Sequence, residues 1–493
     1  MNKFKKIIST SITVLFILLP IIDCIRRTAI KDVDLFGFSI IELINLVIIS
    51  YTTLLTIINL KNNKKEIVPL IVYTIILFIY ICLHNLNILK LDPNIYFKSN
   101  INIITETYYI LRVYYMPILL LFVLVKNKDI FNTNFYKKIT KTLICIICVS
   151  IVLLNIFKLS YATYAATNEE FVKYNIFDFY KSEESTKLLS TRGWFDSANE
   201  ISAILMILFP INIYMLFKEN KKSNLFMYII QFLAMIILGT RTSALGAILI
   251  TIVAILINIF SKIIKQNKIN FKLIICGLLC TIYFFISPIG IYLLDYSIPN
   301  YNIKDEHNDN LNNITDDIEI SNYIINHLYE FRIDEAFIKL YPIEQDITFW
   351  KTLALRDRNL NNNSRVMKTT IIERIKTRNN NKNDNLLGMG YTLNFMDLER
   401  DYVYQYYLFG ILGIILIIPQ ILLLIKSGFT ILRNIKRINI LEILLITMAP
   451  LVGLVAAYYS GHVFGWVSPS YILILSLALL NNKCKEGILV YEK

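Results

Sequence analysis

The chain has 493 residues, 55% of them hydrophobic, with a mean hydropathy of +0.53 and a formal net charge of +13. An apolar share this high, gathered in runs of about 20 residues, excludes a soluble globular domain and defines a polytopic membrane protein. The positive balance is not a polyanion-binding face, because Lys and Arg fall mainly in short segments between apolar runs, so no nucleic-acid partner is expected.

The chain begins MNKFKKIISTSITVLFILLP, a basic end followed by an apolar run. No small-residue cleavage site follows it, so it is expected to remain as a first span. Apolar windows place further spans near 38–60, 67–88, 108–126, 141–157, 199–217, 225–240, 243–261, 271–295, 402–426, 439–460 and 464–481, which with 7–24 gives about twelve. With the amino terminus in the cytoplasm, the inside segments carry Lys61/Lys64/Lys65, Lys126/Lys128/Lys137/Lys138, Lys218/Lys221/Lys222, Lys262/Lys265/Lys268 and Arg433/Lys436/Arg437, with Lys483/Lys485 in the tail. This satisfies the positive-inside rule at every loop and places both termini in the cytoplasm. The expected organisation is transmembrane helices over 1–295, an extracytoplasmic loop subdomain over 296–401, and the last helices with a cytoplasmic tail over 402–493.

The seven cysteines lie almost all in apolar runs or the tail, and Cys145 and Cys148 form a CxxC inside TLICIICVSIVLL, where two small buried residues are the plain reading. Between Leu225 and Phe260 the chain is apolar on both sides of one cation, Arg241, in ILGTRTSALGAIL. The pattern predicts two membrane helices joined by a tight turn with Arg241 at its tip. An arginine near hydrocarbon costs a few kcal/mol unless an anion meets it, and no acidic residue lies in the hairpin. The long polar stretch opens with NIKDEHNDNLNNITDDIEI, read as a mobile piece, and then predicts helices near 318–340 and 364–378. About 100 residues far exceeds ordinary connections and points to a functional subdomain.

Charged groups concentrate at the expected outer ends of the spans. STRGWFDSANEISAIL leads Arg192, Asp196, Asn199 and Glu200 into a span, the Arg241 turn follows, and the long loop carries Arg356, Arg358 and Arg365 before ending in Glu399, Arg400 and Asp401. Converging, these would form a site suited to a lipid-linked diphosphate, which a guanidinium fork pairs bidentately. A neighbouring carboxylate, Asp401 first and Glu399 second, would take the proton from an attacking sugar hydroxyl. Each feature also has a plainer account. Arg241 can snorkel or cap a helix end, Glu399 to Asp401 can be a solvated cluster, and Asn199 with Glu200 can be an ordinary first helical turn. The small residues Ser243, Ala244, Gly246 and Ala247, and the pair Gly410 and Gly413, read as close helix packing. Glu42, Glu106 and Arg112 could pair with one another or line the same cavity, and the four histidines read as structural or surface residues with no metal-ligand spacing.

The order TRGWFDSANEISAIL, GTRTSALGAIL, and a long loop ending GMGYTLNFMDLERDYVYQYYLFGILG resembles the O-antigen ligase and surface polysaccharide polymerase superfamily over roughly residues 190–415. The heavy use of Ile, Asn and Lys looks like a variant from low-GC bacteria. The resemblance implies an all-α, GT-C-like glycosyltransferase that uses undecaprenyl-diphosphate-linked glycan outside the membrane, among membrane lipids and alongside partners such as a flippase and a chain-length regulator. It implies Arg192 and Arg241 as diphosphate contacts and Arg365 as the arginine of NNNSRVMKTTIIERI. Where many members carry a histidine at the span after the loop, this chain has ERDY, which passes the role to Asp401. No metal or other cofactor is required, since guanidinium groups supply the cation. Polymerisation of repeat units is the leading expectation, with transfer to another acceptor or lipid-linked oligosaccharide flipping as the alternatives.

Overall fold

The computed structural model describes residues 3–28, 34–35, 38–92, 94–95, 102–163, 170–178, 189–219, 221–263, 269–294, 306–361, 363–390, 398–434 and 439–489. Among the described residues the regular structure is helical, apart from two two-residue strands paired antiparallel at Asp34–Leu35 and Phe38–Ser39. Among the described residues, eight helices are long and apolar enough to cross a membrane, or nine if the bent pair Asp401–Ile415 and Ile418–Arg433 forms one span. Lys222–Ile237 and Phe271–Ile286 are shorter apolar helices, and Val467–Leu489 is a further helix of 23 residues.

Contacts divide the chain into two units, Met1–Tyr73 with Arg112–Tyr296 and Ile418–Lys493, and Thr74–Leu111 with Ser297–Ile417. In the first, the helix Ala198–Glu219 is the hub. Every residue from Glu200 to Leu216 is buried, and the helix packs against Lys222–Ile237, Arg241–Ile263, Ile440–Tyr459 and Val467–Leu489. Small residues set those approaches: a Cβ on Gly246 would lie 2.8 Å from Met206, and one on Gly453 2.8 Å from Leu473 and 3.1 Å from Ile207. Ser243, Ala244, Gly246 and Ala247 are all buried in that packing.

The first unit is polarised along its helices. At one end lysines meet carboxylates: Lys218 and Lys483 approach Glu442 at 3.2 and 3.5 Å, and Lys137, Lys141 and Lys221 approach Glu219 at 2.8, 3.6 and 3.5 Å. The Lys218–Glu442 pair joins the carboxyl end of one helix to the amino end of another, so Ala198–Glu219 and Ile440–Tyr459 run antiparallel. Their opposite ends, near Ala198 and Tyr459, therefore share the other end of the bundle.

In the second unit the expected helix near 364–378 is present as Ser364–Asn379, capped by Asn363, whose side chain accepts from the Val366 N–H. The single helix expected over 318–340 is instead three, Asp317–Asn326, Leu328–Phe331 and Glu335–Leu340. Arg332 adopts the left-handed conformation that ends the second, and Asp334 caps the third. Part of the Asn/Asp-rich stretch read as mobile is also helical, at Glu306–Asn313.

The expected span 402–426 is broken twice. One break separates Asp401–Ile415 from Ile418–Arg433, and the other lies within the first helix, where Gly410 has φ 66° and ψ −172°. A break inside an apolar helix strands carbonyls, and each needs a donor. The segment Gly388-Met389-Gly390 supplies two: Met389 N–H donates to Tyr407 O and Gly390 N–H to Leu408 O, both at 2.9 Å. The Tyr80 hydroxyl donates to Phe409 O at 2.8 Å. The two backbones approach so closely that a Cβ on Gly388 would lie 2.1 Å from Leu408 O, and one on Gly410 2.4 Å from the Leu386 backbone. Gly410 is thus a helix break rather than a packing glycine, and Gly388 is fixed by the same contact.

Candidate functional site

The arginine end of the first unit is built around a hairpin. Lys222–Ile237 and Arg241–Ile263 are joined by Leu238, Gly239 and Thr240, so the tight turn with Arg241 at its tip is as the sequence predicts. Gly239 turns with φ 73°, and a Cβ there would strike Ser190 at 2.4 Å. The Thr240 hydroxyl accepts from the Ser243 N–H at 3.3 Å and donates to Ser202 at 3.2 Å, which caps the second helix. Arg241 is exposed at that helix's first residue, where the backbone N–H groups add their own positive field.

The segment bearing Arg192 lies on this turn. Thr191 N–H donates to Ile237 O at 2.9 Å, and the Thr163 hydroxyl donates to Leu238 O at 2.8 Å. Arg192 itself is buried, with one guanidinium nitrogen donating to Asp196 O at 3.1 Å. The Asp196 N–H donates to Asp23 at 3.2 Å, and the Ser197 hydroxyl accepts from the Glu200 N–H at 3.3 Å. Glu200 is buried and Asn199 half-buried, both in the first turn of Ala198–Glu219. The structure therefore brings the Arg192 and Arg241 segments into direct contact. At Glu42 and Arg112 an ion pair of 2.5 Å forms, with Arg112 also donating to Gly465 O at 3.2 Å.

Glu106 does not join that pair. It meets His84 Nε2 at 2.8 Å, both side chains fully buried in the second unit, while His84 Nδ1 lies 2.6 Å from Leu387 O. A carbonyl only accepts, so Nδ1 carries a proton. His84→Leu leaves a buried carboxyl without this partner, so a thermal melt should show a loss of about 3–5 kcal/mol. The double change with Glu106→Leu should recover much of it.

The second unit also holds a cleft of about 500 Å³, lined by Phe349, Arg365, Val366, Thr369, Thr370, Glu373, Arg374, Thr377, Arg400 and Tyr407. Arg365 donates to Glu399 at 2.5 Å, Arg374 makes two bonds to Asp346 at 2.6 and 3.0 Å, and the Tyr407 hydroxyl donates to Glu373 at 2.5 Å. Asp401 starts the helix Asp401–Ile415, is 3% exposed, and is not among the cleft-lining residues. The sequence reading found Arg365 and Arg400 but missed Glu373, Arg374 and Tyr407. The spacing of Arg365, Thr369, Glu373 and Thr377, each four residues on, marks one polar helix face and was the signal available.

Burial disfavours ionisation of Asp346, but the Arg374 and Tyr341 hydrogen bonds outweigh it and hold the carboxyl below the usual carboxylate range. Its stabilisation is therefore fully present above about pH 4 and is lost as pH falls through the lowered folded value. Asp346→Asn should narrow the difference in melting temperature between pH 7 and pH 3.

Apolar helices with arginines at one end and lysines at the other, together with a polar helical unit, define a multi-pass, all-helical membrane protein. The chain belongs to the family of O-antigen ligase like membrane proteins, which matches residues 2–486. Membership supports glycan transfer in general and an enzyme of glycosyltransferase type, with lipid-linked glycan and membrane lipid as its substrates. No curated protein matches the sequence.

Proposed function

We propose that the protein polymerises undecaprenyl-diphosphate-linked oligosaccharide repeat units into surface polysaccharide at the outer face of the cytoplasmic membrane. The observation that carries this reading is the Arg192 segment hydrogen-bonded onto the Arg241 turn, at the end of the bundle opposite the lysine pairs. Lysine marks the cytoplasmic side, which makes the arginine end extracytoplasmic and both termini cytoplasmic.

In the proposed reaction an acceptor hydroxyl oxygen attacks the anomeric carbon of the donor sugar, and the bond from that carbon to the diphosphate oxygen breaks. Negative charge grows on the departing diphosphate, so cations aimed at it favour the transition state over the ground state. Arg241 and Arg192 are assigned that task, and Asp401, with Glu399 second, accepts the hydroxyl proton. Asn199, Glu200, Arg365 and Arg400 are assigned to substrate binding. Asp401→Asn should lower turnover by about 10²–10⁴ at normal protein level.

Mass-resolved analysis of undecaprenyl-linked glycans in a deletion strain, leaflet by leaflet, tests the reading. Single repeat units on the outer leaflet with long polymer lost is the expected result. Long lipid-linked polymer that is never transferred would make the protein a ligase, and units held on the inner leaflet would make it a flippase.

A further inference from the structure

We propose that the cleft on the helix Ser364–Asn379 is a saccharide subsite for a glycan bearing an anionic group, with Arg400 as the residue that reads the charge. This rests on the reading that the protein transfers glycan. The helix is two-faced: Met367, Ile371, Ile372 and Ile375 are buried, while Arg365, Thr369, Thr370, Glu373, Arg374 and Thr377 line the cleft. Its volume of about 500 Å³ lies within the range of small-ligand sites.

The polar groups are already arranged. Thr369, Thr370 and Thr377 each donate their hydroxyl proton to the carbonyl four residues back, at 2.8 Å; the Thr370 oxygen accepts from Arg356 at 3.2 Å, and the oxygens of Thr369 and Thr377 are left as acceptors. A sugar, with hydroxyls around its rim, offers the matching donors. Tyr407 is oriented by its bond to Glu373 and by Lys376 over its ring at 5.4 Å, and Phe349 by packing against Tyr341 and Trp350 with the Arg374 guanidinium over its ring at 6.0 Å, so both aromatic walls of the cleft are held in place.

The three arginines differ in one respect. Arg365 is engaged by Glu399, and Arg374 by Asp346 through both of that carboxylate's oxygens. Arg400 is exposed and, among the described residues, its guanidinium has no ion pair or hydrogen-bond partner, the backbone carbonyl alone accepting from the Tyr404 N–H. It is the helix-preceding residue of Asp401–Ile415, so its backbone position is fixed while its guanidinium fork is uncommitted. A planar fork of this kind matches a sugar carboxylate or a phosphate substituent.

The test uses the purified full-length protein in detergent, with three probes: a uronic acid trisaccharide, a neutral trisaccharide and inorganic pyrophosphate. The expected result is about tenfold tighter binding of the uronic acid trisaccharide than of the neutral one, a preference lost in Arg400→Gln and partly kept in Arg400→Lys. The wild-type preference should shrink as NaCl rises from low to high concentration, a measurement that stands even if Arg400→Gln fails to fold. Equal binding of charged and neutral trisaccharides, or pyrophosphate displacing the uronic acid trisaccharide more effectively than that trisaccharide displaces itself, would overturn the proposal. Either outcome leaves the transferase reading to the glycan analysis above, and inner-leaflet trapping there would remove that reading whatever the cleft binds.

Discussion

Replacing Arg241 with alanine is expected to abolish surface polymer while the protein accumulates at its normal level. The side chain is exposed, so its removal opens no cavity. It also sits at the first residue of a helix, where a cation opposes the macrodipole by about 0.3–1 kcal/mol. A thermal melt of the alanine variant, run beside the activity assay, separates lost activity from lost fold. If Arg241 meets charge growing on the departing diphosphate, the rate should fall by about 10²–10³. Arg241→Lys keeps the charge without the bidentate fork and should recover only part of the rate. Wild-type polymer in Arg241→Ala would sink the assignment.

Gly388→Ala should have the largest effect on folding. The added Cβ would stand 2.1 Å from Leu408 O, and the backbone there has φ 79°, so both sterics and conformation oppose any side chain. Relief would require separating the Gly388-Met389-Gly390 segment from the broken helix, exposing the Tyr407 and Leu408 carbonyls without their donors. The expected cost exceeds about 4 kcal/mol, read as loss of a monodisperse peak in fluorescence-detected chromatography. Gly410→Ala should behave alike, since its Cβ would lie 2.4 Å from the Leu386 backbone. Gly428→Ala is the matched control: nothing lies within 4 Å of a Cβ there, and alanine is the better helix former.

Features set by local pattern were legible in the sequence. The Arg241 hairpin needed only apolar runs and a small-residue turn, and Ser364–Asn379 needed only helical periodicity and an Asn cap. Features set by a distant partner were not. The run from Tyr402 to Leu424 is apolar with or without a break, because hydropathy does not record that Gly410 has positive φ or that Tyr80 lies beside it. Glu106 offered itself as a partner for Arg112 on position alone, and its pairing with His84 depends on how the two helices face each other. The cleft is half written in the sequence: one wall is a helix face, whereas Tyr407 and Phe349 reach it from separate elements. The division of 317–340 into three helices turned on two breaks that no periodicity marks, one at His327 and one at the left-handed Arg332.

The broken helix at Gly410 also implies a sequence of events on the ribosome. Gly388-Met389-Gly390 leaves the exit tunnel shortly before the carbonyls of Tyr407 and Leu408 that it serves, so these two bonds close a short loop between stretches of newly made chain. The third donor, Tyr80, belongs to a helix synthesised 329 residues before its acceptor Phe409. The nascent break can therefore be satisfied by its neighbours as it enters the bilayer, and Tyr80 then fixes it onto an element that was inserted long before.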